Sequence, residues 1–172
     1  MIDIRHVYQT FGDRHILKDV SLSIKEGETM VILGASGSGK STLLKLIIGL
    51  LRPTSGKVLV NGKDMGQLSE EELNEERRSM GMVFQYSALF DSLNVKENVA
   101  FGLRMHTRLS EEEIDAIVKE KLHLVGLDGI EDLMPANLSG GMKKRVSLAR
   151  AIALEPKIIL YDEPTAGLDP IR

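Results

Sequence analysis

The segment Gly34–Thr42, GASGSGKST, carries the residue types that bind phosphate. Its glycines let backbone N–H groups converge on phosphate oxygens, and a helix predicted from Lys40 adds the positive end of its dipole. The Lys40 ammonium can reach the β- and γ-phosphates of a nucleotide, and the Ser41 hydroxyl can ligate Mg²⁺. We therefore predict a nucleotide phosphate site made of Gly34, Ala35, Ser36, Gly37, Ser38, Gly39, Lys40, Ser41 and Thr42.

Two acidic residues follow the apolar run Ile158–Tyr161. A strand there would place Asp162 and Glu163 at its carboxyl end, where ligands bind in open α/β sheets. Asp162 is a candidate Mg²⁺ ligand, and Glu163 could polarise the attacking water. Gln85 also follows an apolar run and could bridge water and metal. A surface acid pair and ordinary loop polarity are the simpler alternatives for these residues.

A second glycine pair lies more than ninety positions after the first, in NLSGGMKKR, Asn137–Arg145. Ser139, Gly140 and Gly141 precede a predicted amphipathic helix, so they offer a hydroxyl, exposed N–H groups and no side chain to block an anion. The alternative is an ordinary helix cap. One nucleotide needs one phosphate cradle, so the second site requires another explanation.

The elements that position these residues alternate between strands and helices. The sequence predicts N-terminal strands flanking a turn at Phe11-Gly12, buried strands at Thr29–Leu33 and Gly81–Gln85, and a helix over Lys40–Leu51. Helical patterns fill most of the interval from Val95 to Leu154. The predicted fold class is therefore α/β with a helical insertion. Further signals are an Asn-Gly turn after Lys57–Val60, capping boxes at Ser69/Glu72 and Ser110/Glu113, and a strand at Lys157–Tyr161.

Composition excludes several classes of protein. The 172 residues carry a net charge of −3, the wrong sign for binding nucleic acid through the whole surface. The cluster Lys143–Arg145 is most simply a solvated helix face. No cysteine is present, so disulfides and thiolate metal sites are excluded. The N-terminal residues do not have the pattern of a signal peptide, and no apolar run is long enough to span a bilayer.

Taken together and in this order, the motifs resemble the nucleotide-binding subunits of ABC transporters over the whole chain. Phe11 lies where the family has its adenine-stacking aromatic residue. Gly34–Thr42 corresponds to the family's Walker A loop, and Gln85 corresponds to its Q-loop glutamine. LSGGM, Leu138–Met142, resembles the ABC signature. Asp162 and Glu163 close the Walker B strand, and Ala166–Asp169 resembles the D-loop.

The resemblance implies a P-loop NTPase (RecA-like) fold with a parallel-sheet core, N-terminal antiparallel β strands and a helical subdomain. It implies ATP and Mg²⁺ as cofactors, with Ser41, Gln85 and Asp162 on the metal and Glu163, Gln85 and Lys40 in catalysis. Two subunits of the family pack head to tail, so Ser139, Gly140 and Gly141 would close over ATP held by the partner. A separate membrane permease would dock on Tyr86–Leu103, at the cytoplasmic face of the cell membrane.

Neighbouring residues narrow the resemblance further. Met142 stands where many members of the family have glutamine, and the stretches Gln85–Leu103 and Tyr161–Ile171 resemble the Mla-type and related MCE-protein ATPases. Those ATPases energise the transport of phospholipids or other lipids between bacterial envelope membranes. The alternatives are a non-transport ABC ATPase and a module that binds nucleotide only to switch shape.

The family's switch histidine lies after the D-loop, whereas His6, His15, His106 and His123 all precede the Walker B strand. We therefore expect the chain to be a C-terminally truncated fragment of a single nucleotide-binding domain. Its core would comprise residues 1–86 and 155–172, with a helical subdomain at about 87–154. Nucleotide binding would persist, and hydrolysis would be weaker than in a full-length relative.

Overall fold

The structure is a computed structural model that describes residues 1–162. The predicted residues Glu163 and Ala166–Asp169 lie outside the described residues. The chain divides into two compact units, Met1–Arg77 and Arg78–Arg172, and each is described by itself. The division of the domain into core residues 1–86 and 155–172 and a helical subdomain stays a prediction.

The first unit is built on a four-stranded antiparallel sheet in the order β2-β1-β3-β4. Apolar residues alternate along these strands, as in Ile2, Ile4 and Val58, Val60, and they are buried on one face. Helix α1 packs against β3 and buries Leu43, Leu46 and Ile47. The bounds are β1 Ile2–Phe11, β2 Arg14–Ile24, α1 Lys40–Ile47, β3 Ser55–Val60, β4 Lys63–Asp64 and α2 Glu70–Arg78.

The predicted turns and caps of this unit are confirmed. β1 and β2 pair antiparallel around the Gly12 turn, with Phe11 opposite Arg14. The β3–β4 turn is formed by Asn61 and Gly62, both at positive φ. At the start of α2, the Ser69 backbone N–H donates to Glu72 Oε2 at 2.8 Å.

Helix α1 ends at Ile47, earlier than the predicted Leu51. Gly49 takes a left-handed conformation, φ 72°, and its N–H donates to Leu46 O at 3.2 Å. The Leu50 N–H then donates to Lys45 O at 2.8 Å. This pair of bonds is the Schellman arrangement, which satisfies the last carbonyls and stops the helix.

The prediction of a buried strand at Thr29–Leu33 is wrong for the structure described. No strand is assigned there, and the side chains of Val31 and Leu33 are 73% and 87% exposed. A strand exists only when its N–H and C=O groups pair with a neighbour, and this segment is not among the four strands of the first unit. The apolar pattern indicates that the segment could form a strand. Such a pattern does not identify a neighbouring strand with which the segment could pair.

The second unit joins a short parallel sheet to three helices. β5 (Met80–Val83) pairs with β6 (Ile158–Tyr161) in parallel register, Val83 opposite Tyr161. The three helices are α3 (Val95–His106), α4 (Glu111–Leu124) and α5 (Gly140–Ile152), with a 3₁₀ turn at Pro135–Asn137. One core cluster holds the helices together, with Val99, Leu103, Val118, Leu122, Val146 and Ala149 nearly inaccessible to solvent.

The predicted parallel sheet and the helical stretch are therefore confirmed. Capping boxes fix the starts of α3, at Asn94 with Glu97, and of α4, at Ser110 with Glu113. Within residues 1–162, no helix is both long and apolar enough to cross a bilayer.

Candidate functional site

The predicted phosphate loop leads directly into α1. The Lys40 ammonium donates to Gly34 O at 2.9 Å and to Ala35 O at 3.1 Å, so its charge lies over the start of the loop. The Ser38 N–H donates to Ala35 O at 3.2 Å, which turns the chain back on itself. The first N–H groups of α1 therefore follow a tight loop that contains one cation, which is the arrangement that binds a polyphosphate.

Gly39 caps α1 and must be glycine for two physical reasons. Its backbone is left-handed, with φ 99°, a region that residues with a side chain rarely adopt. A Cβ at this position would also lie 2.7 Å from Leu17 Cδ2 and 3.3 Å from Ile16 O. The packing of β2 against the loop therefore fixes the residue type at Gly39.

Phe11 lies at the end of β1 with 44% of its surface exposed. The turn that follows it contains Gly12 at φ 55°. An exposed ring at the tip of a hairpin is available to stack on a flat ligand. The structure describes this availability, and the adenine contact itself stays a prediction.

In the second unit, the parallel sheet brings two predicted site residues to one edge. Gln85 follows β5 and Asp162 follows β6, so both lie beyond the carboxyl ends of paired strands. The Asp162 N–H donates to Val83 O at 2.9 Å, which continues the ladder to the last described residue. The carboxyl edge is where ligands bind in parallel sheets. Glu163, the predicted polarising base, lies outside the described residues.

The second glycine pair opens α5 as predicted. Ser139 is the N-cap, and its Oγ accepts a hydrogen bond from the Met142 N–H at 3.2 Å. Gly140 and Gly141 form the first turn, in which there is no acidic residue. A Cβ on either glycine would meet no heavy atom within 4 Å among the described residues. The fold of this unit therefore leaves both positions open, unlike Gly39.

The last turn of α5 carries a residue that the sequence analysis did not single out, Arg150. Its guanidinium donates to Ser87 O at 3.0 Å and to Ala88 O at 2.8 Å, in the loop that follows Gln85. Burial lowers the pKa of the Arg150 guanidinium below its ordinary value. Arginine is common in helices, so the sequence gives no signal for Arg150. Its hydrogen bonds to residues more than sixty positions away distinguish it from other helical arginines.

Ser41, Gln85 and Asp162 are the predicted metal ligands. Across residues 1–162, no group of three or more His, Asp or Glu side chains is arranged to hold a metal ion. Mg²⁺ that is bound together with a nucleotide usually takes phosphate oxygens and few protein groups as ligands. The hydroxyl of Ser41, the carboxylate of Asp162 and the amide oxygen of Gln85 are hard oxygen donors of the kind that Mg²⁺ accepts.

Comparison with known proteins identifies the family. The ABC transporter family matches residues 17–166, which is most of the chain. The chain belongs to the ABC transporter family. The matched residues include Gly34–Thr42, Gln85, Leu138–Met142, Asp162 and Glu163, so the family resemblance is confirmed, while the roles of these residues stay predictions.

Relatives and solved structures agree with this family. The Mycobacterium leprae ATP-binding protein mkl, whose name assigns it to ribonucleotide transport, is 52% identical over 171 residues, 99% of this chain and 49% of that protein. The Haemophilus influenzae intermembrane phospholipid transport ATP-binding protein MlaF is 49% identical over 99% of this chain and 65% of its own length. The chain thus spans about half to two thirds of the length of these relatives.

The cassette MJ0796, solved as a dimer in a post-hydrolysis state with ADP and Pi, matches with a TM-score of 0.91 and 40% identity. The match covers 98% of this chain and 76% of that one. The predicted α/β fold of a P-loop NTPase with added antiparallel strands is therefore confirmed.

The two glycine sites should respond differently to alanine. Gly39→Ala is expected to lower the free energy of unfolding by about 1 to 3 kcal/mol, because it forces a left-handed residue with a side chain. Gly141→Ala should leave that free energy unchanged or raise it by up to about 1 kcal/mol, since alanine is the better helix former. Urea unfolding followed by circular dichroism measures both. Equal destabilisation by the two changes would show that Gly141 serves the fold.

Proposed function

We propose that this chain is the ATP-hydrolysing part of an ABC transporter subunit. One observation carries the proposal: the chain presents two glycine-rich helix N-termini, at α1 and α5, and only the first is glycine for reasons of its own packing. An open glycine pair at a capped helix start fits a phosphate that arrives from outside the chain.

The residues of the phosphate loop would hold ATP. Phe11 stacks on the adenine, the N–H groups of Gly34–Thr42 surround the phosphates, and Lys40 exchanges its carbonyl partners for β- and γ-phosphate oxygens. This exchange keeps the ammonium fully hydrogen-bonded, so it costs little. The loop geometry around Gly39 supports this assignment, because α1 already directs its first N–H groups along the loop.

Magnesium would be bound by the phosphates together with Ser41, Asp162 and Gln85. When bound, the ion neutralises charge on the transferred phosphoryl group. Glu163 orients the attacking water and accepts its proton. Positioning and charge stabilisation supply most of the rate enhancement in phosphoryl transfer, so the residues need little movement of their own.

A second copy of the chain would complete each site. Ser139, Gly140 and Gly141 of one copy donate hydrogen bonds to the γ-phosphate held by the Walker A loop of the other, so ATP joins the two. The dimeric form of the solved cassette MJ0796 supports this arrangement. Hydrolysis removes the shared phosphate and the two copies separate.

A membrane subunit would receive this motion on the surface Tyr86–Leu103. Several aromatic side chains in this segment are at least two-fifths exposed, namely Tyr86, Phe90 and Phe101. Exposed aromatic residues are enriched at protein interfaces. The ATPase would then lie on the cytoplasmic face of the membrane, held there by its partner.

Phospholipid, or another lipid, is the cargo that we propose. The support is the 49% identity to the intermembrane phospholipid transport ATP-binding protein MlaF. The name of mkl points instead to ribonucleotides.

ATPase activity of the complex with its membrane subunit should rise on addition of phospholipid vesicles. ATPase activity that rises on addition of ribonucleotides other than ATP, and does not rise on addition of phospholipid vesicles, would refute the lipid assignment.

Lys40→Ala should weaken ATP binding, because Lys40 is the residue of α1 whose ammonium lies over the loop. We expect at least a tenfold increase in the ATP dissociation constant, since a lost charge-assisted hydrogen bond costs about 1.5 to 3 kcal/mol. Titration calorimetry with Mg·ATP measures it. Lys45→Ala, on the exposed side of the same helix, is the matched control. Unchanged affinity in Lys40→Ala would rule out the site assignment.

A further inference from the structure

Arg150 connects the signature helix to the loop that carries Gln85. Helix α5 begins at Gly140, beside the signature serine, and Arg150 lies ten residues further along. At 1.5 Å per residue, the two points are about 15 Å apart on one rigid helix. The far end of that helix holds Ser87 and Ala88 through two guanidinium hydrogen bonds, of 3.0 and 2.8 Å.

The loop that Arg150 holds is strained. Ser87 and Ala88 are left-handed, with φ 63° and 45°, although neither is glycine. Two consecutive residues in this region cost free energy and persist only when surrounding contacts impose them. The local hydrogen bonds, from the Ser87 N–H to Phe84 O and from the Ala88 N–H to Tyr86 O, are short-range and do not anchor the loop to a helix.

Burial of the loop's own side chains anchors only part of it: Ser87 is 5% exposed, and Leu89 packs against the helical core. Tyr86 is 86% exposed, so its ring contributes little packing. The guanidinium of Arg150 also contacts the end of the loop, because its Cζ atom lies 5.7 Å from the ring centroid of Phe90. That ring packs on Phe101 of α3, with the centroids 4.7 Å apart. Arg150 therefore contacts the loop through two carbonyls and one aromatic face.

The end of the loop at Phe90 is fixed separately by Asn98 on α3. The buried Asn98 amide accepts a hydrogen bond from the Phe90 N–H at 2.8 Å and donates to Phe90 O at 3.1 Å. It donates also to Leu93 O and Asn94 O. With Asn98 holding residue 90 and Leu89 packed against the helical core, Arg150 adds the contact from α5 to the strained residues Ser87 and Ala88.

We propose that Arg150 is a positioning residue that holds Gln85 in its working place and makes the Gln85 loop follow the signature helix. This inference rests on the proposed function, because Gln85 matters only if it meets Mg·ATP. Arg150 touches neither motif itself. When the partner's γ-phosphate engages Ser139 and the glycines, α5 shifts as a rigid body. The two hydrogen bonds at its other end transmit that shift to the loop and to Tyr86–Leu103, the surface proposed to bind the membrane subunit.

Arg145 provides a matched control on the same helix. Its guanidinium also donates to successive backbone carbonyls, Gly126 O at 2.9 Å and Val125 O at 3.4 Å, but these belong to the turn after α4. The amides of Gly126 and Leu127 are hydrogen-bonded to the end of α4. Arg145 and Arg150, both on α5, therefore make arginine-to-loop contacts of the same chemistry, and the contact of Arg150 is the one that leads to the Gln85 loop.

The test compares amide hydrogen exchange in Arg150→Met and Arg145→Met with the parent chain, without nucleotide. Arg150→Met should speed exchange at Ser87 and Ala88 by roughly ten- to a hundredfold, the effect of losing hydrogen bonds to a charged donor. It should leave Gly126 and Leu127 unchanged. Arg145→Met should show the reverse. If Arg150→Met does not fold, Arg150→Lys, which can reach only one carbonyl, should give an intermediate increase at the same two amides.

Turnover separates positioning from a merely structural role. Arg150→Met should lower the rate of phosphate release roughly tenfold, as Gln85→Ala should, while the Mg·ATP dissociation constant of Arg150→Met changes less than about twofold. Unchanged exchange at Ser87 and Ala88, a uniform increase across both loops, or parental turnover would each overturn the proposal. A parent chain that does not bind Mg·ATP would instead refute the proposed function, and the exchange data would still decide whether Arg150 holds the loop.

Discussion

The backbone N–H groups at the start of a helix have no partner within the helix, and this constraint organises the functional surfaces of the molecule. At α2, α3 and α4 the chain satisfies some of these groups with Ser or Asn caps, and Glu side chains complete the capping boxes. At α1 the N-cap is Gly39, which offers no side-chain cap, and at α5 the Ser139 cap is followed by Gly140 and Gly141; neither first turn contains an acidic residue. Among the described helices, these are the two that begin at the predicted Walker A loop and the predicted signature.

The two sites differ in what holds them, and the difference separates fold from function. Gly39 is required by its left-handed backbone and by the side chains of β2. Gly140 and Gly141 are helical and a Cβ there would meet no atom of the described residues, so packing within residues 1–162 does not require glycine at either position. A residue type that internal packing does not require is best explained by something that approaches from outside. A second copy in the proposed head-to-tail pairing would supply such a partner, and α5 would carry its effect about 15 Å to Arg150 and the Gln85 loop.

Local signals in the sequence predicted the parts of the fold that local chemistry decides. The capping pairs Ser69/Glu72 and Ser110/Glu113 and the Asn61-Gly62 turn were found because each depends on residues three or fewer positions apart. The Thr29–Leu33 strand was wrong because pairing depends on a neighbour that an apolar pattern does not identify. The predicted helix α1 extended too far, to Leu51, because the left-handed conformation of Gly49 ends the helix. Arg150 was missed since its partners lie more than sixty residues away. Family motifs identified the candidate site residues, although Glu163 lies beyond the described residues.

The most direct test of the account is the molar mass of Glu163→Gln in solution, with and without Mg·ATP, because this change removes the proposed base while leaving the nucleotide contacts. The account predicts a monomer without nucleotide and a dimer with Mg·ATP, and a return to monomer when Gly141→Ala is added. A chain that binds Mg·ATP and remains a monomer would contradict the claim that the glycines of α5 complete a partner's site.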